Sequence, residues 1–439
     1  MARRIWYNIR MKIQNFDALA TTPLRRAALE IAEAGLDAID TKQAVMKGVH
    51  IEGDVLFVRD ERIPLAGAQR IMVAAVGKCA AAASEALEEV LGDRLAGGVA
   101  IDVRTSPSLT KIKSLQGTHP MPSEANVEAT KQLVQMLCQS TKDDFVVFVI
   151  SGGGSTLLSM PEDVGFETEA KIVKALFNAG ATIEELNVIR KHLSLARGGY
   201  LAEYAYPSPS VSLIFSDVVG NDFQFIASGP TVKDETTIAD AEKIIAKYDI
   251  LKICGMDGCG FVKTPKQDAF FANVRNILFV SNDTALAAMT DKAVELGYVP
   301  KVCDSCLTGE ARDVGVRIAK ELAAAFAKAA LLYGGETTVT VQNPDGKGGR
   351  SQELALAALP LIGGHELILP FASDGRDNAD AAGGMCDALS KKQASDLGLS
   401  PDDFLARNAS YDFWKKVGAH LVARDTGSNV SDLVIALKE

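Results

Sequence analysis

The feature of this sequence that most constrains its fold is a series of short, continuous apolar runs. The clearest run, FVVFVI at 145–150, holds six apolar residues in a row, with no alternating polar position that would mark a solvent-facing side. Strands buried on both faces have this pattern, and they occur in parallel sheets covered by helices. Further runs occur at 71–76, 97–103, 211–218, 276–282, near 299, 366–371 and 432–437.

Helix-forming segments lie between these runs. Thr22 followed by Pro23 is typical of a helix start, because Thr caps the first turn and Pro is pre-set for the first helical position. Strands that alternate with helices in this way predict an α/β fold. TTVTVQ at 337–342 alternates Thr and Val, which predicts a half-exposed strand. Further helices are predicted from 78 to about 91 and at 126–139, 283–296 and 309–330.

The chain of 439 residues is longer than an ordinary single domain, so we expect two domains, each with its own core. Residues 231–272 are more polar than their surroundings and contain the glycines and thiols of CGMDGCG. We expect the chain to cross between domains there. The predicted division gives an N-terminal domain at 1–235 and a C-terminal domain at 236–439.

Composition and charge argue against several classes of function. Lysine and arginine number 46 against 56 aspartates and glutamates, a net charge of −10, which disfavours nucleic-acid binding. No apolar run approaches the roughly 18–20 residues of a membrane span. The basic N-terminus, residues 1–14, lacks the apolar stretch of a secretory signal, so we expect a cytoplasmic location.

The seven cysteines are an odd number without a secretory context, which favours reduced thiols. Cys254 with Cys259, and Cys303 with Cys306, leave open a four-thiolate zinc site. The sequence favours small buried or half-buried thiols instead, because one pair has a four-residue spacer and no other ligand signal is nearby.

Polar, glycine-rich loops follow several of the predicted strands. In an open parallel sheet, ligands bind outside the carboxyl ends of the strands, so chemistry is expected in these loops. Their composition suits a small anionic ligand. The residues concerned are Gly77 and Lys78, Ser151 to Thr156, Asp217 and Asp222, Glu336, Lys347 to Arg350, and Asp374 and Asp377.

The segment SGGGST at 151–156 is the strongest of these signals. Glycines let the backbone turn with positive φ and let an anion approach the backbone N–H groups. A following helix N-terminus would favour a phosphate or carboxylate, and Ser155 and Thr156 would add hydroxyl donors. The alternative is a tight strand–helix turn in a crowded sheet. The segment matches neither GxxxxGK[ST] nor GxGxxG, so neither an ordinary P-loop nor an ordinary dinucleotide site is expected.

Three cations are candidates for contact with such an anion. Lys78 follows a glycine at a predicted strand end, although a surface lysine that covers the next helix is the alternative. Arg350 follows three glycines and Lys347 at a predicted helix start, and its planar guanidinium suits phosphate or carboxylate. Arg190 begins the basic segment RKHLSLARGG, which is equally compatible with a solvated helix face.

Acidic residues in the same loops are candidate ligands for Mg²⁺, which needs only one or two carboxylates when phosphate and water complete its shell. One of them could also accept the proton of a substrate hydroxyl. Each alone is more often a turn-former or a cap. The residues alone thus predict a two-domain α/β enzyme that binds an anionic, phosphorylated small molecule with Mg²⁺.

Read together and in order, these loops resemble those of the class II glycerate kinases, which make 2-phosphoglycerate from D-glycerate and ATP. Many motifs in one order are far more specific than any single motif. The matching segments include AAVGKCA (74–80), THPMPSEAN (118–126), SGGGSTLLSMP (151–161), NVIRKHLSLARGG (187–199), SDVVGNDFQFIASGPTV (216–232), GGETTVTV (334–341), GKGGRSQELALA (346–357), ASDGRDNADAAGG (372–384) and TGSNVSDLVIAL (426–437).

The resemblance implies an N-terminal domain with a Rossmann-like parallel sheet and a smaller C-terminal α/β domain that contains the MOFRL region, about 330–439. The active site is expected in the cleft between them. ATP and Mg²⁺ are the implied cofactors, glycerate is the implied substrate, and a homodimer is one possible assembly. Lys78 and Arg350 match the family's catalytic or phosphate-contacting residues, and the SGGG loop looks like its anion-binding turn. Together with the reading of the loops, this predicts the catalytic residues Lys78, Arg350 and Asp217. The predicted phosphate or substrate contacts are Ser151, Gly152, Gly153, Gly154, Ser155, Arg190, Glu336 and Lys347, and the predicted metal ligands are Asp217, Asp222 and Asp374.

Other functions stay open at this point. An oxidoreductase acting on hydroxypyruvate would need a nicotinamide site, against which the failed GxGxxG match argues. A kinase of a related sugar acid would differ only in details of the pocket that the sequence does not show. A non-catalytic metabolite-binding protein would need fewer charged loops.

Overall fold

The computed structural model describes residues 11–65, 67–162 and 165–439, so the basic pattern at residues 1–10 lies outside the described residues. The chain forms two compact units. The central unit is Thr41–Phe279, and the terminal unit joins the described residues up to Asp40 with Val280–Glu439. This division differs from the predicted one, because the crossing falls at 279 and the N-terminal segment joins the C-terminal part of the chain.

The described strands and helices are numbered here in chain order. The strands are β1 (Val49–Glu52), β2 (Val55–Val58), β3 (Glu61–Pro64), β4 (Arg70–Val76), β5 (Leu95–Asp102), β6 (Ile112–Gln116), β7 (Asp144–Ile150), β8 (Ser210–Phe215), β9 (Val274–Val280), β10 (Val299–Leu307), β11 (Ala329–Gly335), β12 (Glu366–Ala372), β13 (Gly383–Gly384), β14 (Cys386–Asp387), β15 (His420–Leu421) and β16 (Asp432–Lys438). The α-helices are α1 (Phe16–Leu19), α2 (Pro23–Ala38), α3 (Thr41–Gly48), α4 (Ala80–Leu91), α5 (Glu124–Leu137), α6 (Gly154–Leu157), α7 (Phe166–Asn178), α8 (Ile183–His192), α9 (Tyr200–Ala205), α10 (Ile238–Lys247), α11 (Ile250–Cys254), α12 (Asp268–Ala272), α13 (Asn282–Glu295), α14 (Ala311–Ala324), α15 (Arg350–Ala358), α16 (Ala388–Asp396), α17 (Pro401–Ala406) and α18 (Ser410–Val417). Short 3₁₀ turns occupy Gly92–Arg94, Ile226–Ser228 and Leu359–Leu361.

The central unit is built on a six-stranded sheet in the order β6-β5-β4-β7-β8-β9. The pairs β5–β6, β4–β5, β4–β7 and β7–β8 are parallel. All seven residues of β7 are buried, as the unbroken apolar run predicts. The predicted strands of this half of the chain and its parallel sheet are therefore confirmed.

A small antiparallel sheet, β1-β2-β3, precedes the large sheet and was not predicted. Each of its strands has four residues, and their burial alternates only weakly. Runs this short carry little periodicity, which explains why the sequence does not reveal them. Strand β6 was missed for the same reason, since only its first residue is fully buried.

The terminal unit contains a mixed sheet in the order β10-β11-β16-β12-β13-β15, and β14 pairs with β12. Strands β10 and β11 are parallel, but β16 runs antiparallel to both β11 and β12. The terminal unit is thus an α/β structure, as the predicted C-terminal domain is, but its sheet is mixed rather than parallel. The last strand, β16, enters the middle of the sheet in the reverse direction.

Two predictions at 309–342 differ from the structure. The predicted helix at 309–330 exists as α14 but ends at Ala324; residues 325–328 form a turn, and Ala329 and Ala330 open β11, whose seven residues are all buried. A strand buried on both faces cannot be told from a helix by periodicity. The segment TTVTVQ at 337–342 forms no strand, because the preceding residues form the sheet strand β11 instead. Its Val341 is 64% exposed, and a single isolated bridge joins Thr338 to Glu310.

Helix α2 begins as predicted, with the Thr22 side chain accepting a hydrogen bond from the Arg25 N–H and Pro23 at the first helical position. A buried ion pair ties the helix to the rest of the terminal unit. Arg25 Nε and Nη2 lie 2.6 and 2.7 Å from the two oxygens of Asp387, and Nη2 also donates to Ser390 Oγ at 2.8 Å. Among the described residues, every helix is too short or too polar to cross a membrane.

Replacing Arg25 by Met should lower the free energy of unfolding of the protein by about 3–5 kcal/mol, because Asp387 would stay buried without its cation. Urea unfolding followed by circular dichroism measures the change. The matched control is Arg26→Met, one residue along the same helix and exposed, which should change stability by no more than about 0.5 kcal/mol. Equal losses in the two variants would contradict a structural role for the buried pair.

Candidate active site

Three loops of the central unit leave the same edge of its sheet. Val76, Ile150 and Ile214, near the carboxyl ends of β4, β7 and β8, are paired in register. Parallel strands in register end side by side, so the residues that follow them are neighbours. The loops that begin at Gly77, at Ser151 and at Ser216 are therefore brought together, as the positions of the polar residues predict.

The first two loops are in close backbone contact. Gly77 has a φ of +120°, and a Cβ built on it would lie 2.0 Å from Ser151 Oγ and 2.6 Å from the Ser151 carbonyl oxygen. The Lys78 N–H donates to the Gly152 carbonyl at 2.9 Å. Only glycine fits at position 77, because both the conformation and the space exclude a side chain.

Asp217 lies directly against the glycine loop. A Cβ built on Gly152 would lie 2.0 Å from Asp217 Oδ2. The missing side chain at Gly152 thus makes room for a carboxylate that follows β8. The structure brings Asp217 to the triple glycine, as the shared strand edge predicts.

Cations border the same loop. A Cβ built on Gly153, which has a φ of +83°, would lie 3.1 Å from Lys78 Cγ, 3.3 Å from Lys78 Cε and 3.5 Å from His119 Cδ2. The pKa of His119 is lowered by partial burial and then by the positive charges of Lys78 and Arg190. Burial, followed by the charge of Arg197, also lowers the pKa of Arg190. Cations that repel one another at a half-buried place favour the binding of an anion.

Within the described part of the chain, neither Lys78 nor Arg190 has a carboxylate within ion-pair distance of its side-chain nitrogens. Backbone donors are also available: the N–H groups of Gly152, Gly153 and Ser155 have no acceptor among the described residues, whereas the Gly154 N–H donates to the Ser151 carbonyl at 3.1 Å. N–H donors on the glycine loop and cations from neighbouring segments, all without a protein partner in the described part of the chain, are what an anion site needs.

The helix that was expected to help bind an anion contributes less than predicted, and the helix after Lys78 offers no free N-terminus. Helix α6, which follows the glycines, has only four residues. The N-terminus of α4, which follows Lys78, is filled by a carboxylate of the protein itself, because the Ala81 N–H donates to Asp102 Oδ2 at 3.0 Å. The favourable groups are thus the loop N–H donors and the cations rather than a helix dipole.

Arg350 lies in the terminal unit, among acidic residues brought together by neighbouring strands. Asp432 is paired in register with Gly335 at the end of β11 and with Ala372 at the end of β12. The Arg350 guanidinium contacts both oxygens of Asp432 through Nε and Nη2, and Nη1 contacts Glu336. Asp432 was not recognised as a candidate, because it opens a strand rather than following one.

The predicted anion site at the start of α15 is occupied by Asp377. The N–H groups of Ser351 and Gln352 donate to the Asp377 carboxylate at 3.2 and 2.8 Å. A Cβ built on Gly349 would lie 2.1 Å from Asp377 Oδ1. These glycines therefore admit a carboxylate of the chain itself, while Lys347 is exposed beside them.

The charge balance around Arg350 shows in the pKa values. Burial raises the pKa of Asp432 to about 7, against the opposing effect of Arg350, and burial raises the pKa of Asp377 to about 6. Burial opposes the charge on Arg350, but the hydrogen bond and charge of Asp432 outweigh it, so the pKa of the guanidinium is raised. Arg350 is thus held charged among more carboxylates than it can neutralise.

The predicted metal ligands differ in their surroundings. Asp222 is exposed and accepts the Gln224 N–H at 2.8 Å, and Asp374 accepts the Arg376 N–H at 2.9 Å, so both shape turns. Asp217 is the one that borders the glycine loop. Among the described residues, no group of three or more His, Cys, Asp or Glu side chains is arranged to hold a metal ion. One carboxylate still fits Mg²⁺ when phosphate and water supply the other ligands.

The four thiols considered for zinc belong to no such group. All are free, Cys254 and Cys259 are buried in one apolar cluster with Ile245 and Ile250, and Cys306 is exposed. The buried pair has the environment expected of ordinary core thiols.

The fold and the loops define an α/β protein with a candidate anion site at the carboxyl edge of a parallel sheet. The model of a domain of unknown function (DUF4147) matches residues 27–255, and that of the MOFRL family matches residues 329–432. The glycerate 2-kinase of Pyrococcus horikoshii is 35% identical over 94% of this chain and 97% of its own. The D-glycerate 2-kinase of Thermotoga maritima is 34% identical over 94% of this chain and 98% of its own.

A solved structure of glycerate kinase from Thermotoga maritima superposes with a TM-score of 0.83 at 33% identity, covering 94% of this chain and 99% of that one. A relative from Agrobacterium vitis, 36% identical over 83% of this chain, bears the provisional name of a hydroxypyruvate reductase. The chain belongs to the glycerate kinase family that carries a MOFRL region, as the order of its motifs predicts.

Replacing Gly152 by Ala should lower kcat by about tenfold to a hundredfold, because the new Cβ would displace the Asp217 carboxylate by an ångström or more. Steady-state phosphorylation assays measure the change. Gly258→Ala is the matched control, since nothing lies within 4 Å of a Cβ at that position. If Gly152→Ala kept full activity, the position of Asp217 beside the loop would not matter to turnover.

The raised pKa of Asp432 gives stability a pH dependence. The folded protein holds this proton more tightly than the unfolded chain, so its contribution is fully present below about pH 4 and is lost as the pH rises through about 7. As the pH rises between these limits, the free energy of unfolding of the Asp432→Asn variant should therefore fall less than that of the wild type. Urea unfolding at several pH values measures this free energy. If it changed with pH equally in the variant and the wild type, Asp432 would make no such contribution.

Proposed function

We propose that this protein transfers the γ-phosphoryl group of ATP to D-glycerate and releases 2-phosphoglycerate. The observation that carries the proposal is the similarity to glycerate 2-kinases along nearly the whole chain. The described geometry supports it, because the central unit presents unpaired cations and N–H donors where an anionic substrate would need them. A phosphotransferase with an alcohol as acceptor is the class of enzyme to which this family belongs.

The glycine loop would hold the anionic group of a substrate. Phosphoryl transfer passes through a loose, negatively charged transition state, so positioning and positive charge supply most of the catalysis. Lys78 and Arg190 would provide the charge, and the N–H groups of Gly152, Gly153 and Ser155 would provide directed hydrogen bonds. Ser151 holds the turn by accepting the Cys79 N–H at 3.4 Å.

Arg350 would contribute from the terminal unit. A guanidinium has five N–H donors, and its contacts with Asp432 and Glu336 engage three of them. Two donors thus remain for a phosphate oxygen, while the carboxylates fix the orientation of the group. Glu336 is accordingly a positioning residue in this proposal, and Lys347 stays a predicted phosphate contact.

Mg²⁺, when bound, would neutralise charge on the phosphate oxygens. Asp217 would be its protein ligand, because it is the predicted metal ligand that borders the glycine loop. Asp222 and Asp374 would act through the turns that they cap. The cytoplasmic location, the homodimer and the position of the active site between two domains stay predictions.

The hydroxypyruvate reductase alternative has the provisional name of one relative in its favour. Against it, the glycine loop lacks the GxGxxG spacing of a nicotinamide site. A kinase of a related sugar acid would use the same groups and differ in its acceptor pocket.

The decisive experiment is a panel of hydroxy acids with Mg·ATP, in which enolase coupling reports 2-phosphoglycerate. D-glycerate should be the best acceptor, and enolase should consume its product directly. Oxidation of NADH with hydroxypyruvate, in the absence of phosphoryl transfer to any acid, would overturn the proposal in favour of the reductase.

Lys78→Ala, Arg190→Ala and Arg350→Ala should each lower kcat/KM for D-glycerate at least about tenfold, because each removes a charge proposed to face a substrate anion. Lys47→Ala is the control for charge alone, since Lys47 is an exposed residue on α3. Unchanged thermal midpoints would show that the folds are intact. Full activity in the Lys78 and Arg350 variants would refute the assigned roles.

A further inference from the structure

A short chain of hydrogen bonds runs from the glycine loop into the buried interior of the central unit. Ser155 Oγ lies 2.8 Å from Ser228 Oγ, and Ser228 Oγ donates to Asn187 Oδ1 at 2.9 Å. Ser228 is fully buried, and Asn187 is 2% exposed. Ser155 is only half-buried and belongs to the loop with the unpaired N–H donors.

The direction of each hydrogen bond in this chain is determined. Asn187 Nδ2 donates to the Ile183 carbonyl at 3.0 Å, so its oxygen must be the atom that faces Ser228. An amide oxygen only accepts, so the single proton of Ser228 goes to Asn187. Ser228 then has no proton for Ser155, and the proton between the two hydroxyls must come from Ser155.

The Ser155 oxygen can therefore accept a hydrogen bond from a ligand of the glycine loop, but its hydroxyl has no proton left to donate to that ligand. This differs from the expectation that the hydroxyl is a donor. A serine oxygen whose proton is already committed keeps lone pairs for an incoming donor. The hydroxyl of Thr156 is committed in the same way, since it donates to the Pro120 carbonyl at 3.3 Å. The loop thus offers N–H donors to an anion and the Ser155 oxygen to a group that must donate.

A hydroxy acid has both kinds of group, because its carboxylate or phosphate accepts and its hydroxyl donates. We infer that Ser155 Oγ accepts a hydrogen bond from a hydroxyl of the acid substrate and so selects hydroxylated acids, and that Ser228 and Asn187 are positioning residues that hold its proton away. The inference rests on the proposed function, and it assigns Ser155 to the acceptor substrate rather than to the phosphates of ATP.

Binding measurements on the full-length protein test this assignment. Ser155→Ala should weaken D-glycerate binding by about five- to tenfold, because one hydrogen bond is lost. The affinity for a non-hydrolysable ATP analogue with Mg²⁺ should stay within twofold of the wild type. D-lactate and 3-hydroxypropanoate each lack one hydroxyl of glycerate, and the binding of one of them should not respond to the substitution.

Ser228→Ala provides a second variant that keeps the Ser155 oxygen but frees its proton. Of D-lactate and 3-hydroxypropanoate, one should bind Ser155→Ala as well as it binds the wild type. Ser228→Ala should reduce the preference for D-glycerate over that acid by about two- to fivefold, because Ser155 is no longer held as an acceptor. Ser108→Ala, at an exposed serine in another loop, is the matched control and should change neither affinity. Thermal midpoints report whether each variant is folded.

The outcomes separate this inference from the proposed function. Weaker binding of the ATP analogue in Ser155→Ala, with D-glycerate unaffected, would place Ser155 on phosphate and overturn the inference while the kinase stands. Equal losses for D-glycerate and both deoxy acids would also overturn it, since no hydroxyl would then be read. Failure of the wild type to phosphorylate any hydroxy acid would instead refute the proposed function.

Discussion

The candidate site depends on the close approach of backbone to backbone at the carboxyl edge of the central sheet. Strands β4, β7 and β8 end in register, and the loops that follow them would collide if they carried ordinary side chains. Gly77 leaves room for Ser151, and Gly152 leaves room for Asp217. This packing places a carboxylate within one loop cluster with a lysine and N–H donors that have no protein partner among the described residues. Gly152 in the triple glycine is thus required by packing, and the same loop carries the donors of the candidate site.

Backbone N–H groups at two helix starts donate to carboxylates of the chain, whereas three N–H groups of the glycine loop have no acceptor among the described residues. Asp102 accepts an N–H at the start of α4, and Asp377 does so at the start of α15, where an anion site was predicted, so both helix starts are bonded to a carboxylate of the chain itself. The glycine loop has no such internal anion on its N–H groups among the described residues. The glycine loop is therefore the stronger candidate for ligand binding, and a glycine-rich sequence alone does not reveal which N–H donors stay unsatisfied.

The sequence predicts the central unit well, because strands such as β7 are apolar along their whole length and end in recognisable loops. It fails where the signal has two meanings: Ala329 and Ala330, which open the buried strand β11, continue an alanine-rich stretch and were assigned to the end of a helix. Lys78, Asp217 and the glycines could be grouped because they follow neighbouring strands. Asp432 could not be grouped with the site, because an antiparallel pairing brings it there. The partners of Ser155 could not be recognised either, because their role depends on the directions of buried hydrogen bonds.

The ion pair between Arg25 and Asp387 joins residues 362 positions apart, within a unit that the central unit interrupts in sequence. A ribosome adding about 5–20 residues per second would need roughly 20–70 s to supply the partner of α2 after that helix emerges. Leu29 and Ile31 of α2 are fully buried, and a Cβ at Gly35 of the same helix would lie 2.8 Å from Met289 Cγ of α13. Because α13 and Asp387 both follow the central unit in the chain, α2 completes its packing only after the central unit has been synthesised. We therefore expect the central unit to fold before α2 docks in the terminal unit.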